Sequence, residues 1–187
     1  MHAVFRMAGL PGLIASLPPE TERLDFESAG IATIFQTIQD IYGVHGGRSL
    51  AYKAGQQSLD ALLNSYGTTC GFENASLQEL PVDEKVLDGL KWLRSVLLSI
   101  SEQQIDLFTH TPPVGWTFAV QNCMLCEGRQ NSQPMCIFME GMLDQAAFTF
   151  SSGSKFKVQE VSCIAAGADA CRFFVQIPQP ENPPFTI

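Results

Sequence analysis

A chain of 187 residues, 45% of them hydrophobic, has the apolar mass for one buried core and is too short to suggest two domains. Its formal net charge of -8 leaves no basic surface to neutralise phosphates, which argues against nucleic acid and anionic membranes as principal partners. Every apolar run is interrupted by Gly, Pro, Lys or Gln well before the length of a bilayer span, so no membrane span is expected.

Residues 1–24 begin "MHAVFRMAGLPGLIASLPPE", where Gly9, Pro11 and Gly12 break the apolar stretch and no charged leader precedes it. They read as the N-terminal arm of a cytoplasmic protein. The six cysteines are then expected to be reduced, and metal binding becomes the alternative to disulfide pairing. Residues 25–110 form a helical half. In "ESAGIATIFQTIQDIYG" the residues Ile31, Ile34, Phe35, Ile38, Ile41 and Tyr42 recur at helical spacing, and Gly43 stands where a C-terminal cap belongs. A second helix runs from about Gly47 to Tyr66, with Leu50, Ala54, Leu59, Leu62 and Leu63 on its buried side. A third follows Pro81, with Asp83 as N-cap and Val86, Leu90, Leu93, Val96 and Leu97 in its stripe.

From residue 111 to 178 the period changes to two. "WTFAVQ", "PMCIFME", "FKVQEV" and "CRFFVQI" read as strands, with a short helix in "GMLDQAAFTFSSG" between the second and third. Residues 179–187 are a Pro-rich tail. The whole reads as one domain with a helical first half and a strand-rich second half.

Strand parity singles out a constellation near the end of the chain. Phe156, Val158 and Glu160 share one face of "FKVQEV", and Cys171 shares a face with Phe173 and Val175, opposite Arg172 and Gln176. A carboxylate on an apolar face needs a partner, because an unpaired buried charge costs several kcal/mol or more. Cys163 has the opposite parity from Glu160, so the strand must bend after Val161 for both to meet one atom. Gly167 lets "IAAGADA" reverse the chain and return Cys171 to the same place. A tetrahedral zinc ion needs four ligands, and Cys136 is the preferred fourth. Buried cysteines serving only as small apolar side chains are the competing reading. A rival site uses Cys123 and Cys126 of "CMLC" with Cys163 and Cys171, although that segment reads as strand rather than knuckle and leaves Glu160 unpaired. No phosphate-binding loop, assignable haem ligand or catalytic triad stands out.

The run "PMCIFMEG" followed by "FKVQEVSCIAAGADACRFFVQ" resembles the signature of the vinyl-4-reductase (V4R) domain, a Cys with a Gly five residues later and then a Glu-x2-Cys-x7-Cys hairpin. Those positions are Cys136, Gly141, Glu160, Cys163 and Cys171. More loosely, "GIATIFQTIQDIYGVHGGRSLAYKAGQQ" is similar to the family's paired N-terminal helices, and "GWTFAVQNCMLCEG" to its strand entering the core. The resemblance implies an α+β (mixed α/β) fold, helices packed on an antiparallel sheet, shared with TRAPP subunits and nitric-oxide-sensing domains, and a structural zinc on Cys136, Glu160, Cys163 and Cys171. It also implies a pocket for a small hydrophobic or aromatic ligand, for which Trp116, Phe118, Phe138 and Phe148 are the candidates. The phenol sensors of the family use a His near the third helix, whereas the histidines here are His2, His45 and His110. A closed four-ligand site has no room for a catalytic water, so no catalytic residue is assigned. A non-enzymatic sensor or carrier is expected, homodimeric through the helical half, with a protein partner for any signal output. The alternatives are an accessory or reductase role in the vinyl reduction of a chlorophyll-type tetrapyrrole, and an assembly module.

Overall fold

In a computed structural model, residues 1–16, 28–67, 79–110 and 115–178 are described; Cys70 and the tail from 179 to 187 lie outside them. Two short helices, α1 (His2–Met7) and α2 (Gly12–Ala15), precede the long α3 (Ser28–Tyr66). α3 is broken at Gly43, whose φ of 71° and ψ of 172° are non-helical. Glycine takes this positive φ without a Cβ penalty, so the expected stop at Gly43 is present. The chain resumes as helix at once rather than at Gly47. Tyr42 and Leu50, expected inside, are exposed, because the stripe that faces the protein beyond the kink is Gly47, Ala51, Gly55 and Leu59.

Helix α4 (Val82–Ile100) buries Val86, Leu90, Leu93, Val96 and Leu97, as the periodicity predicts. Its N-cap is Pro81 and not Asp83. The Lys85 amide already donates to the Pro81 carbonyl at 3.0 Å, which leaves Asp83 and Glu84 in the first turn, where the helix dipole favours acids. Trp92 lies edge-on to Phe150, with ring centroids 5.9 Å apart, and its buried Nε1 has no hydrogen-bond partner among the described residues. Trp92→Phe therefore forfeits no hydrogen bond and is expected to lower the stability by about 1–2 kcal/mol through lost packing volume, read as a melting temperature lower by about 2–8 °C. Trp116 would then be the remaining indole.

Four strands follow the sequence order β1 (Ile105–His110), β2 (Gly115–Val120), β3 (Lys157–Ser162) and β4 (Cys171–Gln176), with helix α5 (Ile137–Phe150) between β2 and β3. The sheet order is β1-β2-β4-β3, each neighbour antiparallel. Register places Ile105 and Leu107, Trp116, Phe118 and Val120, Cys171, Phe173 and Val175, and Val158 and Glu160 on one face. That face joins α4 and α5 in the core, so the parity reading of Glu160 and Cys171 is correct.

Two expectations are corrected. "PMCIFME" is not a strand: Cys136 is the N-cap of α5, which takes up the rest of that run together with the predicted short helix. The helix buries residues on nearly every side, among them Ile137, Met139, Met142, Leu143 and Ala146, and a continuous apolar run carries no period to separate helix from strand. β1 lies inside the half read as helical, so that half does not stay helical to residue 110. It pairs along its whole length with β2.

The packing of α3 on α5 depends on two glycines. A Cβ at Gly55 would collide with the Phe138 carbonyl oxygen, and a Cβ at Gly141 with the carbonyl oxygen of Tyr52. The two helices meet backbone to backbone there. This gives a physical reason for the glycine five residues after Cys136.

Candidate metal centre

Three pieces of chain converge beneath the open end of the sheet. The first is the segment that leaves β2, where the Cys126 amide donates to the Cys123 carbonyl and the Arg129 amide to that of Cys126, both at 3.0 Å. Gly128, with φ 66°, completes this reversal. "CMLC" is thus a knuckle rather than a strand, which removes an objection to its binding metal; Gly128, two residues past the second Cys, was the signal in the sequence. The second piece is Cys136 at the start of α5. The third is the β3–β4 connection, in which the register shifts between Glu160 and Ser162. A short 3-10 turn (Ile164–Ala166) and Gly167 at φ 92° then return the chain to Cys171.

The result is a cluster of five buried thiols, Cys123, Cys126, Cys136, Cys163 and Cys171. Cys136 lies 3.6 Å from Cys171 and 4.0 Å from Cys163, and Cys163 lies 4.0 Å from Cys171, sulfur to sulfur. Cys123 and Cys126 approach Cys136 to 3.5 and 3.0 Å. Bonds of about 2.3 Å to a tetrahedral zinc imply sulfur separations of about 3.8 Å. The thiol spacing fits that ion. Compact donor sets able to hold one include Cys136, Glu160, Cys163 and Cys171, and Cys123, Cys126, Cys136 and Cys171.

Glu160 is buried. Its Oε2 accepts the Cys136 amide at 2.8 Å, while Oε1 has no partner among the described residues. Burial, and after it the Cys163 thiolate, pushes the carboxyl up to about 8. The bonds from Cys123 and then Cys136 pull Cys126 far below the ordinary thiol value, whereas Cys136 is pushed far up. Five thiols this close cannot all ionise by themselves. A divalent cation would release their protons and hold them as thiolates.

Arg129 ties the knuckle to α3. Its Nη1 donates to the Leu125 carbonyl at 3.0 Å, its Nε to Gln36 at 3.2 Å and its Nη2 to Gln39 at 3.3 Å. Burial lowers its pKa, and the neighbouring Cys136, Cys126 and Cys163 oppose that shift. No feature of the sequence alone pointed to this arginine.

The four aromatic pocket candidates stand in different surroundings. Phe118 is fully buried, and Phe148 is 44% exposed. Trp116 stacks on Phe156 at 6.3 Å. Phe138 meets Phe35 at 5.2 Å and, with Gln39, Gly47, Arg48, Leu125 and Arg129, lines a small cavity between α3 and the knuckle.

Residues 116–177 match the V4R domain. The match covers about a third of the chain. An uncharacterized protein of Methanocaldococcus jannaschii is 34% identical over 58 residues, which are 31% of this chain and 32% of that protein. The chain thus aligns with about a third of this relative's length. Among solved structures, the phenol-responsive sensory domain of the transcription activator PoxR, with phenol, is similar with a TM-score of 0.58 at 12% identity, over 81% of this chain and 74% of that one. An H-NOX protein from S. oneidensis in the Fe(II)NO ligation state gives a TM-score of 0.60 at 14% identity, over 95% of this chain and 89% of that one. At such identities the likeness is one of fold, a mixed α+β architecture with a four-stranded antiparallel sheet. Among the described residues no helix is long and apolar enough to cross a membrane.

Proposed function

We propose that this V4R domain is a non-enzymatic binding or sensing module for a small hydrophobic or aromatic molecule, built around a structural zinc ion. The observation that carries this reading is the convergence of Cys136, Cys163 and Cys171, from a helix start and both arms of a hairpin, onto one buried point with further donors beside them. Soft thiolates favour zinc over magnesium or calcium. The ion would pin the β3–β4 hairpin to the first turn of α5. The similar PoxR domain is phenol-responsive, and the cavity by Phe35 and Phe138 supplies apolar walls with the cations Arg48 and Arg129 at its edge.

Native mass spectrometry of freshly purified protein tests metal and ligand together, with one zinc ion per chain and a retained small molecule expected. Protein isolated without chelator and free of metal would overturn the zinc reading. For the ligand, titration calorimetry with phenols or short fatty acids is expected to show saturable binding, and to do so equally in high salt, because apolar burial drives binding. A flat response across such a panel would overturn it.

The reading includes a cytoplasmic homodimer. Tyr42, Val44 and Leu50 are large exposed apolar residues around the Gly43 break, a patch that supports pairing through the helical half. Sedimentation at tens of micromolar is expected to give a dimer; a monomer would overturn this part.

A further inference from the structure

The two compact donor sets share Cys136 and Cys171, which raises the question of whether two ions sit side by side with those thiolates as bridges. The sulfur positions speak against it. When two regular tetrahedra with bonds of about 2.3 Å share an edge, their outer ligands stand about 5 Å or more apart. Cys126 and Cys163 would be such outer ligands, and they are 3.5 Å apart. Their closeness belongs to a single ion.

Cys126 is 3.0 Å from Cys136, 3.5 Å from Cys163 and 3.4 Å from Cys171. With the three separations among Cys136, Cys163 and Cys171, these close all six edges of a tetrahedron at 3.0 to 4.0 Å. Glu160 is engaged differently, with Oε2 on the Cys136 amide and Oε1 buried without a partner among the described residues. Resting on the zinc reading above, we infer that the fourth ligand is Cys126, and that Glu160 is a positioning residue that holds the start of α5 and takes the fourth position when Cys126 is absent. The centre is then a four-thiolate site with a carboxylate in reserve. Cys123 stands beside it, 3.5 Å from Cys136, as a neighbour that donates to a ligand thiolate. Because Arg129 joins the knuckle to Gln36 and Gln39 of α3, the fourth ligand is mechanically linked to the helix that lines the cavity.

X-ray absorption at the zinc edge on full-length protein distinguishes the arrangements, since zinc–sulfur bonds of about 2.3 Å are resolved from zinc–oxygen bonds of about 2.0 to 2.2 Å. Wild type and Glu160→Gln are expected to show four sulfurs. Cys126→Ser is expected to keep one zinc per chain with three sulfurs and one oxygen. The double variant Cys126→Ser, Glu160→Gln is expected to bind zinc about 100-fold or more weakly than either single variant, measured by competition with a chromophoric chelator. Three sulfurs and one oxygen in wild type would overturn the assignment of Cys126. Four sulfurs persisting in Cys126→Ser would overturn it in favour of Cys123, and a double variant that binds as tightly as the singles would overturn the role of Glu160. Absence of zinc from wild type would instead overturn the zinc reading on which the inference rests.

Discussion

Gly141→Val is expected to lower the stability of the protein by at least about 3 kcal/mol, at or beyond the upper range of ordinary overpacking in a core. A side chain at this position enters the space of the Tyr52 carbonyl, and the obstacle is backbone, not a side chain that can rotate away. α3 and α5 would have to separate, and Gly55, which lies against the Phe138 carbonyl on the facing helix, would lose its contact as well. Against a total of roughly 5–15 kcal/mol for a typical domain, the loss corresponds to about 6–12 °C in melting temperature for a chain of this size. The informative variant is Gly141→Ala. Glycine to alanine within a helix ordinarily stabilises by about 0.5–1 kcal/mol, so a destabilised Gly141→Ala carries the opposite sign from helix propensity and isolates the crossing. Gly12→Ala, where a Cβ meets nothing within 4 Å, is the comparison and is expected to be neutral or mildly stabilising. An unchanged or higher melting temperature for Gly141→Ala would show that the helices do not meet so closely.

Removal of the metal is expected to have an effect of similar size. A site filled at a thousandfold above its dissociation constant contributes about 4 kcal/mol to folding by mass action. Chelation of the zinc, or Cys171→Ser, is expected to lower the melting temperature by about 8–16 °C. Metal content and stability should fall together, because an ion in the proposed site would link β4 and the hairpin to the first turn of α5 in a closed structural site. Cys171 is fully buried and lies within 4.0 Å of Cys126, Cys136 and Cys163, so its loss removes a shared corner of both compact donor sets. Cys70→Ser serves as the control and is expected to retain the ion. A Cys171→Ser protein that melts with wild type while lacking zinc would show that the metal does not support the fold.

Much of this arrangement could be read from the chain alone. The side on which Glu160, Cys171, Phe173 and Val175 lie follows from a period of two counted along single strands. The bend between Glu160 and Cys163, and the reversal at Gly167, follow from the mismatch of parity and a glycine able to take positive φ. The end of the first helical segment at Gly43 is likewise a property of one residue's backbone. All of these are local rules, needing no knowledge of what packs against the segment.

Other features depended on partners remote in sequence. The run after Cys136 is largely apolar and lies among α3, α4 and the sheet in the core; its own pattern does not separate the two states. β1 was hidden in the helical half because a six-residue strand is defined by the hydrogen bonds of its neighbour β2. The knuckle at Cys123 and Cys126 continues the alternation of β2 on paper, and only the folded chain brings Cys126 within 3.5 Å of Cys163, 37 positions away. Spacing along the chain names the donors; the distances among them are set by how α5, the hairpin and the knuckle pack, because coordination is a relation among atoms in space.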